Sequence, residues 1–431
     1  MVGGPFERGG VMQRYESYKP SGIPWVGDIP SHWGVKKNKF LLSERKAVVG
    51  KDAPNFKLLS LTLQGVILRD MENPKGKFPA EFDTYKQVSP DDLIFCLFDV
   101  EETPRTVGLA KHHGMITGAY TVTRCNEQVS SAFLYYYYLS LDEGKQLRSL
   151  YTGLRNVITR DTFFSLATPF PPREEQDRIV AFLDQKTADI DAAIAKKERL
   201  IELLQEQKNI RIHQAVLRGL NPEVPLCDNG VSWIGEIPAH WKAIPNRYIF
   251  REQNARSLRG EETHLSMSQR YGLVPAKELD VQTLQSESYD GAKLCQKGDL
   301  VQNRLKAHLA VFAVAPCDGL VSPDYSVFRL QNSENQPVYF ERLFKTPNYL
   351  GEFNRRVRGI VVGFLRLYSE DFNAIPALVP PCNEQAEIVK FIEATNTDFE
   401  NIRAKIDAEI VMLRELKAIT VASAVTGKIK V

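Results

Sequence analysis

The 431-residue sequence predicts an α+β chain. Its expected plan is two similar globular α/β domains separated by two long antiparallel helices. The helices pair as a coiled coil, and the whole is an internal repeat with pseudo-two-fold symmetry. Three observations predict this. Trp25-Val26-Gly27-Asp28-Ile29-Pro30-Ser31-His32-Trp33 returns 208 residues later as Trp233-Ile234-Gly235-Glu236-Ile237-Pro238-Ala239-His240-Trp241. Pro171-Pro172-Arg173-Glu174-Glu175-Gln176 returns 209 residues later as Pro380-Pro381-Cys382-Asn383-Glu384-Gln385. Each proline pair opens more than 40 residues without Gly or Pro. Proline suits a first helical turn, where its missing N–H is not needed.

In chain order, residues 1–14 read as a flexible N-terminal tail, rich in Gly and without periodicity. Recognisable pattern begins after Met12, which is the expected natural start. Residues 15–170 form the first globular domain, 171–220 the central helix, 221–379 the second domain and 380–431 the distal helix. Within the domains, Leu58–Leu63, Leu93–Phe98 and Tyr120–Thr123 read as strands, as do Leu300–Gln302, Ala310–Val314 and Ser326–Leu330. Segments 131–151 and 337–357 read as helices. Weak echoes link the interiors: Asp92-Leu93-Ile94 with Asp299-Leu300-Val301, Tyr120-Thr121-Val122 with Tyr325-Ser326-Val327, and Phe163 with Phe372.

The helices carry an apolar seam in alternating steps of four and three. On the central helix it runs Leu183, Thr187, Ile190, Ile194, Lys197, Ile201, Leu204, Lys208. On the distal helix it is counted as Ile388, Ile392, Thr395, Phe399, Ile402, Ile406, Glu409, Leu413, Leu416, Thr420. A narrow seam on one helix needs a partner, and each helix has one in the other. Their charged outer faces are the first place to look for further partners.

Composition sets bounds. An apolar fraction of 43% fits globular folding, and no run approaches the roughly 18 apolar residues of a membrane span. Six scattered cysteines without a C-x-x-C read as reduced thiols in a cytoplasmic protein. The net charge of +2 leaves any basic surface to placement, and the central helix is balanced at nine Lys/Arg against nine Asp/Glu over 173–220. There is no phosphate-cradling loop, G-x-G-x-x-G or G-x-S-x-G. Glu44-Arg45-Lys46 has a nuclease-like E-x-K shape but reads as a charge run. His112-His113 lacks zinc-ligand spacing, and His32 and His240 read as hydrogen-bonded structural residues. Neither catalytic residues, a metal site nor a cofactor is expected.

Basic and amide residues beside turns are the candidate DNA contacts, since Arg, Asn and Gln read base edges while Lys meets phosphate. In the first half these are Gln64, Arg69, Lys75, Lys77, Arg105, Lys111, Arg155, Asn156 and Arg160. In the second they are Gln269, Arg270, Asn303, Arg304, Lys306, Arg355, Arg356 and Arg358. Arg155-Asn156 and Arg355-Arg356-x-Arg358 rank highest, being read as matching positions of the two halves. The run Tyr135-Tyr136-Tyr137-Tyr138 is either a helix core or a platform for stacking bases.

The doubled Trp-(Val/Ile)-Gly-(Asp/Glu)-Ile-Pro-x-His-Trp opening, the doubled Pro-Pro-x-x-(Glu)-Gln-x-x-Ile helix start and the domain-plus-helix order resemble one family: the specificity (S) subunits of type I restriction–modification systems. The resemblance spans about Tyr15 to Val431. It implies that the globular halves are target recognition domains, each reading one half of a split double-stranded DNA sequence. It implies that the helices set the spacing and dock two methyltransferase (M) subunits, with restriction (R) subunits joining for cleavage. It also implies no catalysis by the chain itself. The alternatives are a coiled-coil adaptor or scaffold without DNA readout, and a stand-alone nuclease or methyltransferase, against which the missing motifs argue.

Overall fold

The computed structural model describes residues 13–70, 82–151, 156–268, 271–278, 289–309, 311–359 and 365–431. The chain divides into two compact units, Met1–Glu198 with Asp407–Val431, and Arg199–Ile406. The central helix, Arg173–Arg218, and the distal helix, Cys382–Val425, each contribute to both units. At about 1.5 Å per residue they are roughly 69 and 66 Å long.

The units repeat one topology. The first holds a four-stranded antiparallel sheet ordered Leu42–Glu44, Thr121–Cys125, Leu93–Phe95, Val107–Leu109. The second holds Phe250–Gln253, Tyr325–Leu330, Leu300–Asn303, Phe312–Val314 in the same order. The weak sequence echoes lie in register, since Val122 faces Ile94 in one sheet and Val327 faces Val301 in the other. Asn38 donates its amide to the Phe163 carbonyl, and Asn246 donates to that of Phe372, at 2.8 and 3.0 Å. Both faces of each sheet are covered, with Leu93 and Phe95 in one cluster and Ile94 and Val122 in another, and likewise Leu300 and Phe328 against Val301 and Val327, which is why consecutive strand residues are at near-zero exposure.

The four-tyrosine run belongs to the helix Ser131–Glu143. Tyr136, Tyr137 and Tyr138 are buried and Tyr135 packs against the same core, so the run is not a base-stacking platform. The hydroxyls account for the choice of Tyr over Phe. Tyr138 bonds Asn38 at 2.8 Å, Tyr137 accepts from the Trp25 indole at 3.2 Å, and Tyr136 donates to Asp184 on the central helix at 2.6 Å. Neither long helical segment is continuous. The first ends at Gly144, where Lys145 adopts a positive φ of 48°, and resumes as a 3-10 turn. The second splits into Pro337–Phe344 and Pro347–Arg356, because Pro347 begins a new helix at its first turn.

The two repeated motifs meet. Glu175, third residue of the central helix, is 5% exposed and receives the Trp33 indole at 3.0 Å and His32 Nε2 at 2.8 Å. Tyr15 donates its hydroxyl to the same carboxylate. In the second unit Glu384 receives Trp241 at 3.1 Å and His240 at 2.7 Å. The neighbouring glutamines act alike. Gln176 accepts from the Ser130 N–H, the N-cap of the tyrosine helix, and donates back to the Pro171 carbonyl. Gln385 accepts from the Gln336 N–H and donates to the Pro380 carbonyl. Each helix start is thereby bolted to its own globular part through hydrogen bonds, with Glu175, Gln176 and Gln385 buried and partnered.

Within each unit the long helices run antiparallel. In the first, Lys197 pairs with Glu409, Glu198 with Arg414 and Asp191 with Lys417. In the second, Lys208 lies over the Phe399 ring and Arg211 over that of Phe391. The central seam is as expected, with Leu183 and Ile194 buried and the rest half-buried. The distal seam departs from the expectation after Phe399. Ile402 and Leu416 are 44% and 46% exposed and Glu409 is exposed, while Ile410 is buried. The inward positions run Ile388, Ile392, Thr395, Phe399, Arg403, Ile406, Ile410, Leu413, Lys417, Thr420. Two successive steps of four, at Thr395–Phe399–Arg403, form a stutter that locally unwinds a coiled coil. Strict four–three counting across it still meets Ile406, Leu413 and Thr420 but lands on the outer face at Ile402, Glu409 and Leu416. The distal helix then returns to the first unit, where Val421, Ala424 and Val425 join the core around Trp33 and the Lys430 N–H bonds the Gln13 carbonyl at 2.7 Å.

Burial pushes the Glu175 carboxyl up, but the hydrogen bonds from Tyr15, His32 and Trp33 outweigh it and hold the group below the usual carboxylate range. A lowered folded value stabilises the fold above the ordinary glutamate pKa and is lost as pH falls through it. Glu175→Gln should therefore lower the stability of the first unit at neutral pH by about 1–3 kcal/mol. It should also remove part of the wild-type loss of stability below about pH 4.3. Urea unfolding across pH checks both, and parallel wild-type and variant curves would discard the clamp.

Candidate nucleic-acid interface

A short hairpin is carried by each unit at the same place in the topology. In the first its strands are Leu59–Thr62 and Gly65–Leu68, and in the second Leu265–Ser268 and Gly272–Pro275. Close glycine packing seats both. A Cβ on Gly114 would lie 2.4 Å from the Lys57 carbonyl, and one on Gly319 would lie 2.3 Å from that of Thr263. Such approaches leave no room for any side chain, so the ribbon sits directly on the strand behind it.

The structure places the candidates as follows. Gln64 is at the exposed tip of the first hairpin, and its side-chain amide has no hydrogen-bond partner among the described residues. Arg69 follows that hairpin and bonds Leu58 through its backbone. Arg105 lines the same cleft as Gln64, but its side chain is largely buried and paired at 3.4 Å with Asp142. Asn156 is exposed and accepts the Asp99 N–H through its backbone carbonyl at 2.7 Å. Lys111 is exposed between two strands. Arg160 sits at a helix start, pairs with Glu44 at 2.6 Å and covers the Phe164 ring. Lys75, Lys77 and Arg155 lie outside the described residues, as do Gln269 and Arg270, which fall between the strands of the second hairpin in sequence.

In the second unit Asn303 is buried and caps the Leu305 N–H. Arg304 bonds the carbonyl of Asp324 at 2.8 Å and lies 3.8 Å from its carboxylate, and Lys306 is exposed. Arg355 and Arg356 both grip Glu352, at 2.8 and 2.5 Å. Glu352 is 3% exposed, and although burial pushes its carboxyl up, the two guanidinium groups hold it low. Arg358 pairs with Asp371 and forms an antiparallel bridge with Arg366, which in turn faces Asp324 at 3.5 Å. Arg304, Arg358 and Arg366 are thus brought together. Arg366 was missed by sequence reasoning because nothing local marks it, and only the bridge to Arg358 places it there.

One sequence correspondence is corrected. Thr159 and Tyr368 are the N-caps of equivalent short helices, Arg160–Ser165 and Ser369–Ala374, each leading into the strand before a long helix. That offset of 209 aligns Asn156 with Leu365, not with Arg355 or Arg356, which end a separate helix. Glu44, in the E-x-K run, is tied to Lys86 and Arg160. Among the described residues no group of His, Cys, Asp or Glu could hold a metal ion, and no helix is long and apolar enough to cross a membrane.

The specificity subunit of the Escherichia coli (strain K12) type I restriction enzyme EcoKI is 23% identical to this chain over 372 residues, 80% of this chain and 76% of the relative. A solved structure concerned with complex assembly and conformational transition of the type I R-M system superposes with a TM-score of 0.62 at 14% identity, covering 92% of this chain and 98% of its own. This chain has the fold of a type I specificity subunit. The HsdS subunit from Thermoanaerobacter tengcongensis superposes with a TM-score of 0.50 at 15% identity, covering 93% and 98%. No protein-family model matches the chain. The resemblance read from the doubled opening and doubled helix start therefore stands, now with the specificity-subunit fold behind it.

Arg356→Ala should cost the second unit about 1–3 kcal/mol, because it removes one of the two guanidinium groups that neutralise the buried Glu352 carboxylate and leaves Arg355 alone to hold it. Thermal unfolding measures it. An unchanged melting curve with weakened DNA binding would move Arg356 from scaffold to interface.

Proposed function

We propose that the chain is a non-catalytic DNA-sequence specificity subunit that recognises a bipartite double-stranded target. The observation that carries this reading is the duplicated unit, one hairpin-bearing domain bolted to each helix start, in a chain similar to the EcoKI specificity subunit. Two domains on paired helices read two half-sites at a fixed separation, as dimeric DNA-binding proteins match half-site spacing to their own geometry. Because the hairpin tips differ in sequence, the half-sites differ. The recognition domains are residues 15–170 and 221–379, and the spacer helices are 171–220 and 380–431. We assign DNA contact to the exposed candidates Gln64, Lys111, Asn156, Lys306 and Arg358, while Arg105 and Arg356 are held by Asp142 and Glu352, and Arg355, though exposed, also pairs with Glu352. Catalysis resides in partner methyltransferase and restriction subunits, in the cytoplasm. An adaptor without DNA readout is not favoured, since it has no use for two divergent domains on a repeated frame.

The docking positions for two methyltransferase subunits are apolar as well as charged. Leu203 and Ile210 on the central helix are 46% and 49% exposed, and Met412 and Ile419 on the distal helix are 66% and 62% exposed. Each pair is seven residues apart, so it shares one helix face, and the pairs are related by the 209-residue offset. Equivalent apolar positions on the two units suit two copies of one partner.

Replacing residues 221–379 by another such domain should change one half-site of the methylated motif and leave the other intact, as read by methylome sequencing of a strain expressing the chain with its methyltransferase. Loss of both would end the modular reading. Leu203→Glu with Met412→Glu should weaken copurification of the methyltransferase subunit at least 10-fold while leaving the melting temperature of the isolated chain within a few degrees.

A further inference from the structure

We propose that the first hairpin is a major-groove reader of an adenine·thymine base pair, with the Gln64 amide on the adenine edge and Leu63 against the thymine methyl. This rests on the reading of the chain as a specificity subunit and names what one of its half-sites contains.

The hairpin turns in two residues, Leu63 and Gln64, between Thr62 and Gly65. Two-residue turns are usually made of Asn, Asp and Gly. Here the Thr62 hydroxyl does the work instead, accepting the Gln64 N–H and donating to the Gly65 carbonyl, both at 3.1 Å, with Gly65 at a φ of 94°. That frees the tip to carry an apolar residue and a bare amide. Leu63 is 65% exposed, and Ile67 and Leu68 beside it are also exposed. An apolar residue at a loop tip breaks the local pattern, and such breaks mark functional positions.

The ribbon is held rigidly. Its inner residues Leu61 and Val66 pack so closely on the strand Val107–Leu109 that a Cβ on Gly108 would come within 2.6 Å of both. Rigid seating removes the ordering cost that a mobile loop would meet on binding. A two-stranded ribbon fits the major groove, which is about 12 Å wide.

The chemistry of the tip decides between bases. Guanine is read by Arg or Lys donating to O6 and N7, whereas adenine presents one donor and one acceptor to an amide. The cation lining the cleft, Arg105, is paired with Asp142. Gln64 supplies one donor group and one acceptor, matching adenine N7 and N6, and thymine alone among the bases offers a methyl group for Leu63.

The test uses the methyltransferase–specificity complex and duplexes carrying its motif. The first half-site is the one unchanged when residues 221–379 are exchanged. Replacing its thymines one at a time by deoxyuridine should weaken wild-type binding about 4-fold at one position, the worth of a buried methyl. Leu63→Ala should bind both duplexes equally. Gln64→Ala should lose about 5- to 100-fold discrimination at that same base pair and leave the second half-site untouched. A first half-site of G·C pairs alone, no deoxyuridine effect, or a Gln64→Ala variant with unchanged preference would overturn the proposal. A wild-type complex with no sequence preference at all would instead overturn the specificity reading beneath it.

Discussion

One carboxylate per unit organises this protein, Glu175 buried in the first and Glu384 half-buried in the second. Glu175 and Glu384 sit in the first turn of helices more than 40 residues long, where a negative charge already meets the positive end of the helix. Each accepts an indole N–H and an imidazole from the repeated His-Trp pair. Charge-assisted bonds of this kind contribute about 1.5–3 kcal/mol each, and more is lost if one partner is removed and the carboxylate remains. They also fix direction. A helix start held by two side chains and by a glutamine on its own Pro-Pro carbonyl leaves its domain at one angle. Angular precision at the root matters because a small error there is multiplied along a helix of roughly 70 Å.

The domains combine this stiff root with tolerant surfaces. The sheet order, the hairpin and the seating glycines are the same in both units. The tips are not: Leu63-Gln64 in one corresponds to Gln269-Arg270-Tyr271 in the other. A frame whose register is set by buried strands can exchange tip residues without disturbing its core.

Much of the fold was legible because it was written twice. The openings and helix starts repeat in sequence since both sides of each clamp are chemically exacting: neither an indole donor nor a carboxylate has a ready substitute. The strand echoes at Asp92 and Asp299 were visible for a similar reason, as each of these buried carboxylates holds an arginine, Arg45 or Arg329, at 2.8 Å. The distal seam was misread because a stutter changes the face without changing the composition. The contact candidates were only partly legible. Arg355 and Arg356 were read as contacts although Glu352 stands three and four residues before them, the spacing of an ion pair on a helix. Leu63 was overlooked because a single apolar residue between two strands reads as strand, and its exposure depends on where the turn falls.

By itself, then, the sequence determined the repeat, the two long helices, their pairing and the family they resemble, because helix periodicity and duplicated motifs are local signals that need no partner to be read. The tertiary structure alone decided which cations are spent on internal carboxylates, where the distal seam shifts, why His and Trp recur together, and which tips stand clear of the core. Most of those depend on residues far apart in the chain meeting in space, as His32 and Trp33 meet Glu175 and Lys197 meets Glu409, and sequence spacing carries no record of such meetings until the chain has folded.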